Sequence, residues 1–405
     1  MNIYRFTIRR LAKNTVMHYK VFFTFLFGLI ACPAMVNAQS TIYDTITHDA
    51  IERDFILYVP STYNAAVATP LVFNFHGYTS NAFEQMFYGD FRSIADTAGF
   101  IIVHPQGTLD ATGTTHFNVG WGASTVDDVG FTSALIDSIA EDYNIDQERV
   151  YSTGMSNGGF MSFLLACELS DRIAAIASVT GSTTPATLSS CNPQHPTPFM
   201  QIHGDNDGTV PYNGSIGWTE PIQDIVNFWV NYNNCSTSAI VNTVPDINTT
   251  DASTVEHYLY VNGDNCVEVE HYKVLNGDHT WPGTAFSFPG TNYDINASEK
   301  IWEFFSKYDI NGEIGCPVGI EEEKHPENSF VVFPNPTSDL AFIRFNTSGP
   351  KTISIYDIIG NLVHSHKTTD ETFSFSVVDW ANGTYNIQVI DKHGKASIQR
   401  LLIGG

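Results

Sequence analysis

Between Ile51 and Tyr308 the chain repeats one alternation. A short run of almost wholly apolar residues is followed by a segment whose apolar positions recur every three or four residues. "IERDFILYVP", "TPLVFNFHGY", "FIIVHPQG", "RVYSTG", "IAAIASVTG" and "TPFMQIHGD" read as strands, several of them apolar on both faces. "DFRSIADTAGF" reads as a helix stopping at Gly99, and "VDDVGFTSALIDSIAEDYNI" as a helix capped by Asp127 or Asp128. "SNGGFMSFLLACEL", "EPIQDIVNFWVNYN" and "ASEKIWEFFSKY" carry the same helical spacing, while "VEHYLYVNG" and "CVEVEHYKVLNG" alternate as a strand pair. Apolar strands separated by helices predict an α/β fold, a mostly parallel sheet with helices on both faces.

The pattern breaks on either side of this region. Residues 311–329, "NGEIGCPVGIEEEKHPENS", are polar, acidic and Gly/Pro-containing, as in a linker. Residues 330–405 hold seven short alternating segments divided by turn residues, which predicts a small all-β sandwich. At the other end, basic residues precede "VFFTFLFGLIA", and small residues come after it in "CPAMVNAQS". Residues 1–38 read as a signal peptide cut after Ala38, with Val36 and Ala38 at the small-residue positions. Met17 is an alternative start, and "LIAC" allows a lipid-modified Cys32 as a competing signal. The main α/β domain is placed at residues 41–310. No later segment is apolar enough to span a bilayer, so the chain is expected to be exported.

The formal net charge of −24 disfavours nucleic acid and anionic membrane surfaces as partners, since both require a basic patch. Export makes the cysteines disulfide candidates. Proximity in sequence pairs Cys167 with Cys191 and Cys235 with Cys266, leaving Cys316 over. No C-x-x-C or H-E-x-x-H spacing occurs, so neither a metal nor another cofactor is expected.

Gly154, Ser156 and Gly158 spell G-x-S-x-G between a strand and a helix, the context in which such a turn lifts a serine out of a sheet as a nucleophile. A serine at neutral pH needs a base and a group to orient that base, and in this fold acid and then histidine lie downstream. "HGDNDGTVPY" offers Asp205 and Asp207 after a strand, and "LNGDHTWPG" offers His279 on a turn. His257 and His271 lie within strand patterns and are weaker candidates for the base. The turn after "LVFNF" puts Tyr78 where its backbone N–H, with that of Asn157, would form an oxyanion hole, and His76 there reads as structural. Trp121 and Trp281 are candidate pocket aromatics.

"GMSNGG", "LACELSDRIAAIA", "HGDNDGTVPY", "GDHTWPG" and "INASEKIWEFF" together resemble the secreted polyhydroxybutyrate depolymerase-like esterases, which overlap the feruloyl and acetylxylan esterases of carbohydrate esterase family one. The likeness spans roughly Asp44 to Asp309. It implies an α/β-hydrolase fold, Ser156 as nucleophile, His279 as base and Asp207 as acid, although the second carboxylate of "HGDND" keeps Asp205 in contention. It also suggests the two cysteine pairings above. "VFPNPTSD", "ISIYDIIGNLV" and "WANGTYNIQVID" resemble the type A sorting domain of type IX secretion, which implies passage across the outer membrane to the cell surface or medium.

The expected protein is a secreted serine esterase acting on feruloyl or acetyl-xylan esters of plant polysaccharide. Its expected partners are that polymer and the type IX machinery. A short-chain polyester depolymerase is the alternative, and an inactive surface-displayed binding protein the reading from another class. A carbohydrate-binding sandwich is the alternative for the C-terminal unit.

Overall fold

The computed structural model describes residues 39–122, 124–316, 330–346 and 348–404. The signal-peptide reading and most of the linker therefore lie outside the described residues. The chain divides into two compact units, the first ending at Cys316.

The first unit contains strands β1 (Ser40–His48), β2 (Ile51–Val59), β3 (Thr69–Phe75), β4 (Ile101–Pro105), a two-residue pair β5 (Thr108–Leu109) and β6 (Thr115–His116), β7 (Ile145–Met155), β8 (Ala175–Val179), β9 (Phe199–Gly204), β10 (Ile240–Thr243), β11 (Thr254–Tyr260) and β12 (Val269–Leu275). Helices α1 (Ala82–Tyr88), α2 (Arg92–Ala98), α3 (Asp128–Asp142), α4 (Asn157–Glu168), α5 (Pro185–Ser190), α6 (Ile222–Tyr232) and α7 (Ala297–Phe305) connect them. Ten strands make one sheet in the order β1-β2-β4-β3-β7-β8-β9-β12-β11-β10. The central strands β4 through β12 run parallel, and the outer pairs on both sides are antiparallel.

Alternation along the strands explains the layers. Leu71, Phe73 and Phe75 of β3 join a core with Phe131 and Leu135 of α3, Phe160 and Leu165 of α4, and Trp229 of α6. Val72 points to the opposite core, with Ala95 of α2 and Ile301, Phe304 and Phe305 of α7. Local chemistry sets the helix ends. Asp127 Oδ1 accepts the Gly130 N–H at 2.8 Å to start α3, and Gly99 at φ 76° stops α2.

Among the described residues there are two disulfides, Cys167–Cys191 and Cys266–Cys316. The expected Cys235–Cys266 pairing is therefore corrected. Cys235 is a buried free thiol whose Sγ faces the Val267 carbonyl, whereas Cys266 sits on a tight turn at φ 59°. After α7 the chain forms a two-strand turn, β13 (Tyr308–Asp309) and β14 (Gly312–Glu313), packed on that turn, which delivers Cys316 to it.

The second unit has β15 (Phe330–Phe333), β16 (Leu340–Phe345), β17 (Lys351–Tyr356), β18 (Leu362–Thr368), β19 (Thr372–Ser376), β20 (Gly383–Ile390) and β21 (Ala396–Ile403). They form sheets β15-β16-β19 and β18-β17-β20-β21 over one core that includes Phe330, Ile343, Ile355, Ile387 and Leu401. This is the expected sandwich.

Candidate active site

Ser156 stands at the C-terminal end of the central strand β7, on the first residue before α4. Its backbone has φ 54° and ψ −119°, a left-handed conformation that a serine adopts only where the surroundings impose it. Those surroundings are close backbone approaches. A Cβ on Gly158 would lie 2.2 Å from the Phe75 oxygen, and one on Gly154 would lie 2.6 Å from the same oxygen. Helix α4 thus starts directly against the end of β3. Because the obstacle at Gly158 is backbone, Gly158→Ala is expected to cost about 1–3 kcal/mol of stability by overpacking, read as a lowered midpoint in urea.

Strand β3 ends at the same place. A Cβ on Gly77 would meet Ser156 Cβ at 3.4 Å, so the His76–Tyr78 turn lies beside the serine. His76 is buried and holds this turn. Its Nδ1 lies 2.7 Å from the Gly77 oxygen, and its Nε2 accepts the Gly107 N–H at 3.0 Å. Burial lowers its pKa to about 4, which keeps the ring neutral for both bonds. Asn157 opens α4, so its N–H has no acceptor within the helix. Its buried side chain has a separate task that the sequence did not signal. Oδ1 accepts the Phe117 N–H at 2.7 Å and Nδ2 donates to the Phe117 oxygen at 3.0 Å, clamping the loop that leads to Trp121.

Asp207 lies in the loop after β9, with its side chain fully buried. Its Oδ1 accepts the N–H groups of Thr209 and Val210, each at 2.8 Å. Its Oδ2 is 2.7 Å from His279 Nδ1 and 3.3 Å from His203 Nε2. Burial by itself would raise the Asp207 pKa, but the bonds from His203 and His279 outweigh it and hold the carboxyl well below the usual range. Asp205 is placed differently. Its Oδ1 accepts the Asn276 N–H at 2.7 Å, and Lys273 Nζ stands 3.6 Å from its Oδ2. His271 is buried against Tyr212 and the Gln201 carbonyl, and His257 pairs with Glu270.

His279 opens onto a cavity of about 850 Å³. Phe83, Phe87 and Tyr88 of α1 form one side of it, and Phe286, Phe288 and Pro289 another. Ser80, Glu84, Asp278 and Thr280 supply its polar groups. The two tryptophans singled out in the sequence do not line this cavity. Trp281 is 1% exposed, donates Nε1–H to Ser298 Oγ and packs edge-on against Phe91, so it belongs to the core. Trp121 packs between Phe160 and Trp218 and also meets the Tyr78 ring. Among the described residues, one group of potential metal ligands lies close together, His48, Asp49 and Asp127, and none of the three lines the cavity.

Two family models match stretches of the first unit, the first of them taking in Ser156 and the second Ser156 and Asp207, while His279 lies beyond both. Residues 53–191 match the esterase PHB depolymerase model, and residues 125–261 match the phospholipase/carboxylesterase model. The first unit has an α/β-hydrolase fold. Residues 331–404, the second unit, match the secretion system C-terminal sorting domain. The hydrolase unit resembles a bifunctional acetylxylan esterase/xylanase of Neocallimastix patriciarum, 31% identical over 189 residues, 45% of this chain and 26% of that protein. It also resembles a "probable feruloyl esterase C" of Aspergillus clavatus, 33% identical over 174 residues, 41% of this chain and 58% of that one. The chain spans less than two thirds of the length of either relative. Among solved structures, an acetyl xylan esterase from Aspergillus awamori is similar with a TM-score of 0.46 and 14% identity, covering 66% of this chain and 99% of that one.

Proposed function

We propose that the hydrolase unit is a serine carboxylic-ester hydrolase acting on feruloyl or acetyl esters of plant polysaccharide, and that the sorting domain directs it out of the cell by the type IX route. The observation that carries the first proposal is the position of His279. Its Nδ1 is bonded to Asp207, and the same ring lines an aromatic cavity. In this reading Ser156 Oγ attacks the ester carbonyl while His279 Nε2 takes its proton, and Asp207 stabilises the imidazolium. The N–H groups of Tyr78 and Asn157 receive the developing oxyanion, aided by the N-terminus of α4. The proton on His279 then passes to the leaving alcohol, and water attacks the acyl-enzyme by the same route in reverse. The phenylalanines and Tyr88 of the cavity suit the flat ring of a hydroxycinnamoyl group.

A second reading, cleavage of a short-chain polyester, is favoured by the esterase PHB depolymerase match. The test is product release from feruloylated, acetylated arabinoxylan beside release of 3-hydroxybutyrate from polyhydroxybutyrate. Ferulate or acetate as the main product supports the first reading. Hydroxybutyrate alone replaces it with the second. Among the described residues no helix is long and apolar enough to cross a membrane.

A further inference from the structure

His203 is the first residue of the "HGDND" segment and touches nothing in the cavity, yet its side chain is wholly buried against the acid. Its protonation state is set by groups that can only accept. The Gly181 carbonyl takes a hydrogen bond from Gln201 at 3.0 Å, which requires the amide nitrogen of Gln201 on that side. That same nitrogen lies 3.0 Å from His203 Nδ1, so Nδ1 is the acceptor and carries no proton. On the other side of the ring, Nε2 lies 2.9 Å from the Val210 carbonyl, which again can only accept. His203 is thereby fixed as the neutral tautomer with its one proton on Nε2. That proton is directed to the Val210 oxygen, and Asp207 Oδ2 stands 3.3 Å from the same nitrogen.

The result is a closed ring of contacts around the acid. Val210 donates its N–H to Asp207 Oδ1 and receives at its carbonyl the N–H of His203, which also reaches Oδ2. We infer that His203 is a positioning residue for the esterase reaction. It holds Asp207 ionised and turned so that Oδ2 faces His279, and Gln201 and Gly181 set the tautomer it needs. The inference rests on the Ser156–His279–Asp207 reading above. The titratable groups around His203 are Asp207 and Asp205 on its own loop, Tyr212 beside its ring, His271 and Lys273 on β12, the latter in register with His203, and His279. Of these, Asp207 is the one that pairs with it, at 3.3 Å.

His203→Leu removes the N–H donor, and His203→Gln restores one at the same reach. Losing a bond to a charged group lowers kcat for an aryl acetate by about 10- to 100-fold, with KM within about twofold. The proton on the Asp207–His279 pair is then held more tightly, so the acidic limb of kcat/KM moves up by about one pH unit. His203→Gln recovers most of kcat and returns the limb. A folded His203→Leu protein whose pH profile overlays that of the wild type overturns the inference. Wild-type ¹⁵N shifts of His203 decide the matter without any substitution, since a protonated Nε2 and bare Nδ1 are expected and the reverse overturns it. Labelling of wild-type Ser156 by a fluorophosphonate separates the two levels. If Ser156 is unlabelled the triad reading falls and His203 with it, whereas labelled enzyme with unchanged His203 variants sinks the His203 inference alone.

Discussion

Ser156→Ala is expected to lower turnover of an aryl acetate by a factor on the order of 10⁶, the loss produced by removing the nucleophile from a serine-hydrolase triad. The elbow at Ser156 is imposed by Gly154, Gly158 and the Phe75 carbonyl rather than by the serine side chain. The alanine variant is therefore expected to unfold at nearly the same urea concentration as the wild type, so that lost activity is not lost structure. His279→Ala should reach a comparable loss, while His271→Ala should leave turnover close to normal, since His271 bonds to Tyr212 and the Gln201 carbonyl. Near-normal turnover in folded Ser156→Ala protein would remove the serine from the chemistry.

The second large effect separates the two aspartates. Asp207→Asn keeps the shape of the carboxylate but replaces one oxygen with a donor, so His279 loses the acceptor that orients its ring and tautomer. Turnover is expected to fall about 10⁴-fold, as it does when the acid of another serine-hydrolase triad is made an amide. Asp205→Asn should change turnover by less than about threefold, because that side chain is partly exposed and bonds to Asn276 and Lys273. Both variants are measured with the same aryl acetate. A greater loss at Asp205 than at Asp207 would reverse the assignment.

Much of this architecture was legible because burial on two faces leaves a plain mark. Strands such as Ile101–Pro105 and Ala175–Val179 are buried throughout and almost wholly apolar, and helix α3 between them buries a single face. Elements without that mark were missed. Strand Ser40–His48 and strand Ile240–Thr243 lie at the two edges of the sheet, are largely exposed, and owe their place to backbone pairing. The cysteines misled for a similar reason. Closeness in sequence paired Cys235 with Cys266, but one side chain turns into the core and the other sits on a turn that faces the returning chain.

The sequence proposes the chemistry of the candidate site but not its walls. Ser156, Asp207 and His279 each come after a recognisable strand end, whereas the choice between Asp205 and Asp207 depends on which way a short loop turns. The cavity aromatics come from segments about two hundred residues apart, and each reads alone as an ordinary core residue. Trp121 and Trp281 drew attention by residue type, yet Trp281 fills the space beside Gly89, where a Cβ would touch its ring at 2.9 Å.

The bridge between Cys266 and Cys316 also bears on how the chain could be processed after export. It ties the last residue of the hydrolase unit to a turn preceding β12, the strand that leads to His279. A chain end secured in this way does not fray inward when the polypeptide beyond it is cut. Proteolysis anywhere between residue 317 and the start of the sorting domain would thus release an enzyme whose new terminus is already anchored. Under reducing conditions Lys307, Tyr308 and Ile310 would keep their bonds to Glu268, Glu270, Tyr151 and Glu148, but residues 311–316 would be left to the short β13–β14 turn and its packing, so the trimmed enzyme should lose activity to a thiol reductant sooner than the full chain.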